Sequence, residues 1–179
     1  MGKTVFVAFL RAINVGGRVV KMTELKKLFE HAGLEQVSTF IASGNVIFTS
    51  NKAASALEKQ IEAGLHNALG YSVTTMLRTC REVADASTYE AFPPSALSGA
   101  SLYVGFMKST VDPSAARKAL ALQTVTDELH IHGREVYWLA RKNIAEATIT
   151  GAAVEKALQT PVTFRNINTV RRLAAKYPV

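Results

Sequence analysis

The sequence predicts an α+β fold made of two similar halves, each carrying one four-stranded sheet. Three observations carry this reading. Short β-branched and aromatic runs alternate with stretches whose apolar residues recur at helical spacing. The first half orders them strand, helix, strand, strand, helix, strand, helix, and the second half repeats that order. The chain has 179 residues, 48% of them hydrophobic. A chain of that size buries roughly 70% of its unfolded surface, enough for one domain or two small ones.

Val5 to Leu10 is the first strand. Its alternating sets, Val5/Val7/Phe9 and Phe6/Ala8/Leu10, are both apolar, so both faces need cover. A loop from Arg11 to Val20 follows and contains Gly16-Gly17. Leu25, Leu28 and Phe29 mark the first helix, and Gly33 suits the position after its end. Val37 to Ala42 and Val46 to Thr49 are strands around Ser43-Gly44-Asn45, a hairpin signal. Leu57, Ile61 and Leu65 mark a second helix, which stops near Gly70. Val73 to Leu77 is the fourth strand. Arg81 to Tyr89 is an extra helix, broken by Phe92-Pro93-Pro94-Ser95.

The second half opens with a strand from Leu102 to Met107. Asp112-Pro113 starts a helix through Leu120, with Asp as cap and Pro in the first turn. Leu129-His130-Ile131 and Val136 to Leu139 flank the turn Gly133-Arg134. Ile149 to Leu158 is a helix and Val162-Thr163-Phe164 a strand. Asn166 or Asn168 caps a last helix running toward Lys176. Each half thus has the βαββαβ order of a ferredoxin-like unit. The expected architecture is duplicated ferredoxin-like halves over residues 1–94 and 95–179, each followed by an extra helix. Val5 to Arg11 resembles Leu102 to Lys108 at an offset of about 97, and Met76 to Thr79 resembles Thr163 to Asn166 at about 87. The second copy is therefore about ten residues shorter. Much of that loss falls opposite Ala12 to Val20, so the Gly-Gly loop is an addition the repeat does not need.

Composition narrows the function classes. The net charge is +7 and the pI about 9.7, which favours anionic partners. No apolar run approaches the ~20 residues that span a bilayer. The run after Met1-Gly2-Lys3 is too short for a signal core, so a cytoplasmic protein without membrane attachment is expected. Cys80 is the one cysteine, which excludes an intramolecular disulfide framework and a multi-Cys metal site. Glu128, His130 and His132 alternate on one strand face at metal-bridging distance, but a solvated face explains them as well. No metal and no cofactor are expected.

Three polar clusters stand out. Arg11-Ala12-Ile13-Asn14-Val15-Gly16-Gly17-Arg18, with Lys21 beyond it, lies between a strand and a helix. Backbone N–H groups of such a glycine pair can point at an anion. The same residues also make a plain strand-to-helix connection, and their spacing matches neither a P-loop nor a dinucleotide fingerprint. Ser43-Gly44-Asn45 is by itself a turn. Arg165-Asn166-Ile167-Asn168-Thr169 sits where orphan helix N–H groups favour an anion, and one cap does not account for four polar groups.

Taken together, residues 11 to 17, Lys21-Met22, Ser43-Gly44-Asn45-Val46 and 165 to 170 resemble the signatures of a bacterial family known only as domain of unknown function number 1697. The resemblance spans nearly the whole chain in order. It implies an alpha/beta protein of two ferredoxin-like halves and brings no activity with it.

The expected function is a binding module for a phosphate-bearing small ligand or a nucleic acid backbone. Its site residues are Arg11, Asn14, Gly16, Gly17, Lys21, Ser43, Asn45, Arg165, Asn166, Asn168 and Thr169, drawn into one cleft. Nucleic acid binding would be non-specific and salt-sensitive, carried by Lys21, Lys26, Lys27, Arg165, Arg171, Arg172 and Lys176. An exposed sheet with stacking aromatics, the RNA-reading use of this fold, is absent from the pattern. Two alternatives stay open. One is an enzyme in which Lys21, Ser43 or an Asn polarises a substrate; the other is a structural or oligomerisation unit. The second sheet faces are expected to be covered by the halves themselves or by a homodimer partner.

Overall fold

The computed structural model describes residues 2–14, 17–41, 44–142 and 148–179. Its elements in chain order are β1 (Thr4–Leu10), α1 (Met22–His31), β2 (Glu35–Thr39), β3 (Asn45–Ser50), α2 (Ala54–Leu69), β4 (Thr75–Thr79) and α3 (Cys80–Thr88). A 3-10 turn at Pro94–Leu97 leads to β5 (Ser101–Phe106), α4 (Pro113–Leu120), β6 (Asp127–His132), β7 (Glu135–Ala140), α5 (Gly151–Leu158), β8 (Thr163–Asn166) and α6 (Ile167–Lys176). Among the described residues the strands form two four-stranded sheets, β2-β3-β1-β4 and β6-β7-β5-β8, antiparallel throughout. The α+β expectation holds. The chain divides into two compact units, Met1–Val83 with Tyr177–Val179, and Ala84–Lys176.

In the first unit, β1 lies in the middle of the sheet. Phe6, Ala8 and Leu10 join Leu25 and Phe29 of α1 and Leu57, Ile61 and Leu65 of α2 in one core. The Phe6 and Phe48 rings stack at 5.8 Å. Val7 and Phe9 point to the opposite face and are no less buried, at 1% and 0% exposure. The strand is thus buried on both sides, as its double apolar alternation requires. On that second face the register sets Val7 beside Ile47 and Arg78. At its border the Tyr177 and Ser38 hydroxyls meet at 2.9 Å.

The edge strand β4 is sealed by side chains. The N–H groups of Thr75, Leu77 and Thr79 donate to Glu62 (2.8 Å), Glu58 (3.0 Å) and Glu82 (2.7 Å). Glu58 and Glu62 stand one turn apart on α2, a rise of about 6 Å. Two residues of strand rise about 6.6 Å, so the carboxylates fall in step with alternate N–H groups. Glu82 closes a capping box. It accepts from Thr79 N–H, and the Thr79 hydroxyl accepts from Glu82 N–H at 3.2 Å, which starts α3 directly at the strand end.

In the second unit β5 holds the central place. Leu129, Val136, Trp138, Val154, Leu158 and Val162 form its helix-side core. Part of the other face is covered from within the unit, by the end of α3 and the residues after it. The Tyr89 hydroxyl meets His130 Nε2 at 2.9 Å, its ring lies 4.1 Å from the His132 ring, and Tyr137 donates to the Ala86 carbonyl. Asp127, 1% exposed, accepts from Trp138 Nε1 (2.9 Å), both Thr124 and Thr126 hydroxyls, and Thr148 N–H. That satisfied network ties the entry of β6 to the approach to α5.

The two sheets share a register. Val7 faces Arg78, and Val104 faces Arg165. These residues lie 97 and 87 positions apart, the offsets of the sequence matches. Several boundaries differ from expectation. β2 ends at Thr39 instead of Ala42, and Ala42 itself lies outside the described residues. β4 begins at Thr75, two residues late, and runs on to Thr79, where the capping box joins it to α3 without a loop, so α3 begins at Cys80, one early. α5 begins at Gly151 because the Thr150 hydroxyl accepts from Ala153 N–H and so fixes the start.

Candidate functional site

Two of the three sequence clusters meet in the first unit. Leu10 N–H donates to the Gly44 carbonyl at 2.9 Å. Gly44 has φ +72°, and a Cβ there would stand 2.6 Å from Ile13 Cγ2. Glycine is needed both for the left-handed backbone and for the close approach. The turn at Gly44-Asn45 therefore packs against the end of β1 and the start of the Gly-Gly loop. Gly16 and Ser43 lie outside the described residues.

Most polar side chains here serve the scaffold. Asn14 accepts from Val20 N–H at 2.7 Å and so closes the loop. Asn45 is fully buried and donates to the Phe40 carbonyl at 3.0 Å. Arg11 is half-buried, and its N–H donates to the Thr74 carbonyl. Gly17, at φ +80°, is exposed. Lys21 is exposed at the N-cap of α1, where its carbonyl accepts from Glu24 and Leu25. Tyr71 was not foreseen. Its hydroxyl donates to the Ile13 carbonyl at 3.2 Å, and the Arg18 guanidinium lies 4.2 Å from its ring centroid.

The third cluster builds an open cleft in the second unit. The cleft has a volume of about 200 Å³ and is lined by Leu97, Ala100, Ser101 and Leu102 on one side and by Asn166, Ile167, Asn168 and Arg171 on the other. Asn166 is the cap, since its side-chain oxygen accepts from Asn168 N–H at 2.9 Å. That leaves the Asn168 side chain exposed on the first turn of α6. Arg171 follows one turn later, with Nε 3.5 Å from the Ser87 carbonyl. The lining thus offers two Asn side chains, a Ser, a guanidinium and the positive end of a helix dipole. It contains no carboxylate, imidazole, amine or thiol. Such a set offers hydrogen-bond donors and one positive charge but has no group suited to take a proton at neutral pH.

Arg165 and Thr169 are not among the residues lining the cleft. Arg165 is buried on the sheet, donating to the Thr163 hydroxyl at 2.8 Å and to the Phe164 carbonyl at 2.9 Å. Burial pushes its pKa down to about 10, so it remains cationic at neutral pH. Strand alternation separates Arg165 from Asn166, because neighbouring residues face opposite sides. Arg171, by contrast, lies three residues after Asn168 and shares its helix face. That spacing was readable in the sequence. Ser101 carried no such signal, since only the strand pairing of β5 with β8 brings it here. Among the described residues no group of three His, Cys, Asp or Glu could hold a metal. No described helix is long and apolar enough to cross a membrane.

Fold and site together define a two-sheet α+β protein with a small polar cleft and no assembled acid–base or metal centre among the described residues. The chain belongs to the family described as "Protein of unknown function (DUF1697)", which matches residues 3–137. The match includes the clusters at 11–17 and 43–46 and ends before 165–170. The fold is similar to that of the conserved bacterial protein SP0830 from Streptococcus pneumoniae, with TM-score 0.75 and 22% identity over 98% of each chain. No curated protein matches the sequence.

Proposed function

We propose that this protein binds a phosphate-bearing small ligand in the cleft at the start of α6. The carrying observation is the pairing of Asn168 and Arg171 on one helix face above a polar cleft of about 200 Å³, smaller than a drug-sized site and suited to a small ligand. The basic net charge supports an anion, and the capped helix start supplies N–H groups and a favourable dipole. Binding is favoured over catalysis because the lining has no general base. The sheet order β2-β3-β1-β4, repeated as β6-β7-β5-β8, supports the reading of two duplicated ferredoxin-like halves, 1–94 and 95–179. A cytoplasmic setting fits phosphate ligands.

Calorimetry with pyrophosphate tests the proposal. Saturable heat is expected, weakening as salt rises. Arg171→Ala should lower the affinity by roughly tenfold, the loss of a charge-assisted contact. Absence of heat with the wild type, or an unchanged affinity in Arg171→Ala, would overturn it. A single-stranded oligonucleotide titrated across salt separates the polynucleotide version. A steep logarithmic salt slope together with weak pyrophosphate binding would favour the nucleic acid backbone instead.

A further inference from the structure

We infer that Arg18, carried on the ring of Tyr71, is a second oxyanion-binding group, in the Gly-Gly loop of the first unit. It stands on different residues from the α6 cleft and does not depend on it. Arg18 is exposed, and its guanidinium carbon sits 4.2 Å from the Tyr71 ring centroid. Among the described residues it has no carboxylate and no hydrogen-bond acceptor, and the ring is its one partner. A cation held by a ring face keeps its N–H donors for an acceptor. A guanidinium offers them as a planar fork that matches the edge of a phosphate.

Tyr71 is well placed to act as the positioning residue. Its hydroxyl is fixed to the Ile13 carbonyl at 3.2 Å, and Ile13 is pinned in turn by Gly44. The ring therefore has a fixed address relative to the loop stem. A long side chain that would otherwise sample many rotamers is restrained before any ligand arrives, which lowers the entropy lost on binding. The loop is also the part of the first half with no counterpart in the second. The second half turns from β5 to α4 with Asp112 as its cap, and no arginine occurs in that connection. The ligand class is a phosphate monoester or diphosphate presenting a free terminal oxyanion edge.

The test follows the Arg18 Nε–H signal of the full-length protein by NMR during a pyrophosphate titration. The signal should shift and saturate. In Arg18→Lys, which keeps charge but loses the fork, the affinity read from the backbone amide shift of residue 18 should fall several-fold. Tyr71→Phe should bind within about twofold of wild type and Tyr71→Leu about fivefold more weakly, as expected for an exposed cation–π contact. An Arg18 signal that does not move overturns the inference, even if the α6 cleft binds. Full wild-type affinity in Tyr71→Leu would also overturn it, because the ring would then not hold the guanidinium. Should Tyr71→Leu fail to fold, the Arg18 signal and the surface substitution Arg18→Lys still decide the matter.

Discussion

Gly105→Ala should destabilise the second unit although it adds only one methyl group. Gly105 stands near the end of β5, opposite Val136 on one side and Phe164 on the other. A Cβ built there would lie 2.6 Å from Phe164 Cε1, 2.6 Å from Val162 Cγ1 and 2.7 Å from Val136 Cγ1. Ordinary contact between carbons begins near 3.5 Å, so three packed side chains must give way together. Overpacking of this kind costs roughly 1–3 kcal/mol. The first sheet shows how the same row accommodates a methyl. There Ala8 pairs with Val46 and Leu77, with leucine where the second sheet has Phe164. Phe164→Leu should therefore relieve part of the strain, with a coupling of about 1 kcal/mol between the two substitutions. Urea unfolding followed by Trp138 fluorescence measures this cleanly. Trp138 is the sole tryptophan, is 2% exposed, and has its ring centroid 5.6 Å from that of Phe164. A neutral Gly105→Ala, or purely additive losses in the double variant, would refute the steric account.

Thr75→Val should stabilise the first unit by roughly 1 kcal/mol, read as a higher urea midpoint, because the buried Thr75 hydroxyl has no hydrogen-bond partner among the described residues. Gly64→Ala should add about 0.5–1 kcal/mol, since Gly64 lies inside α2 and a Cβ there meets nothing within 4 Å; a lower melting temperature would contradict this. Burial, and then His132, holds the His130 pKa below 6.5, so the unfolded chain takes up the proton first. Stability should fall as pH drops below that value, and His130→Gln should flatten the trend in urea midpoints. Burial raises the Cys80 thiol pKa, so iodoacetamide at mildly alkaline pH should label the native protein slowly and the urea-unfolded chain fast.

Local chemistry made much of the fold legible. Asp112 caps α4 by accepting from Ser114 and Ala115 N–H groups. Gly33 and Gly70 adopt left-handed backbone at the ends of α1 and α2, and Gly133-Arg134 joins β6 to β7. Each is decided by residues within one turn of itself. The β4–α3 junction was less legible, because Thr79 and Glu82 replace a loop with a capping box and shift both boundaries. Of the candidate site residues, Asn166 and Asn168 stand in the cleft. Asn14 and Asn45 spend their side chains on backbone groups. Amide side chains satisfy turns and ligands equally well, so composition alone does not separate the two uses. Tyr71 and Ser101 escaped notice because their roles depend on partners far away in sequence.

The three glutamates along β4 act as a counterfeit fifth strand. An open sheet edge is a template on which another chain can crystallise its own hydrogen bonds. Here α2 and the first turn of α3 supply acceptors at the strand's own rhythm, so an intruding segment would find the N–H groups of Thr75, Leu77 and Thr79 already engaged. The seal is made of side-chain oxygens, and an intruder would also have to strand three acceptors without their donors. Growth of this sheet into a fibril is thereby closed off along β4, by residues that contribute nothing to the apolar core.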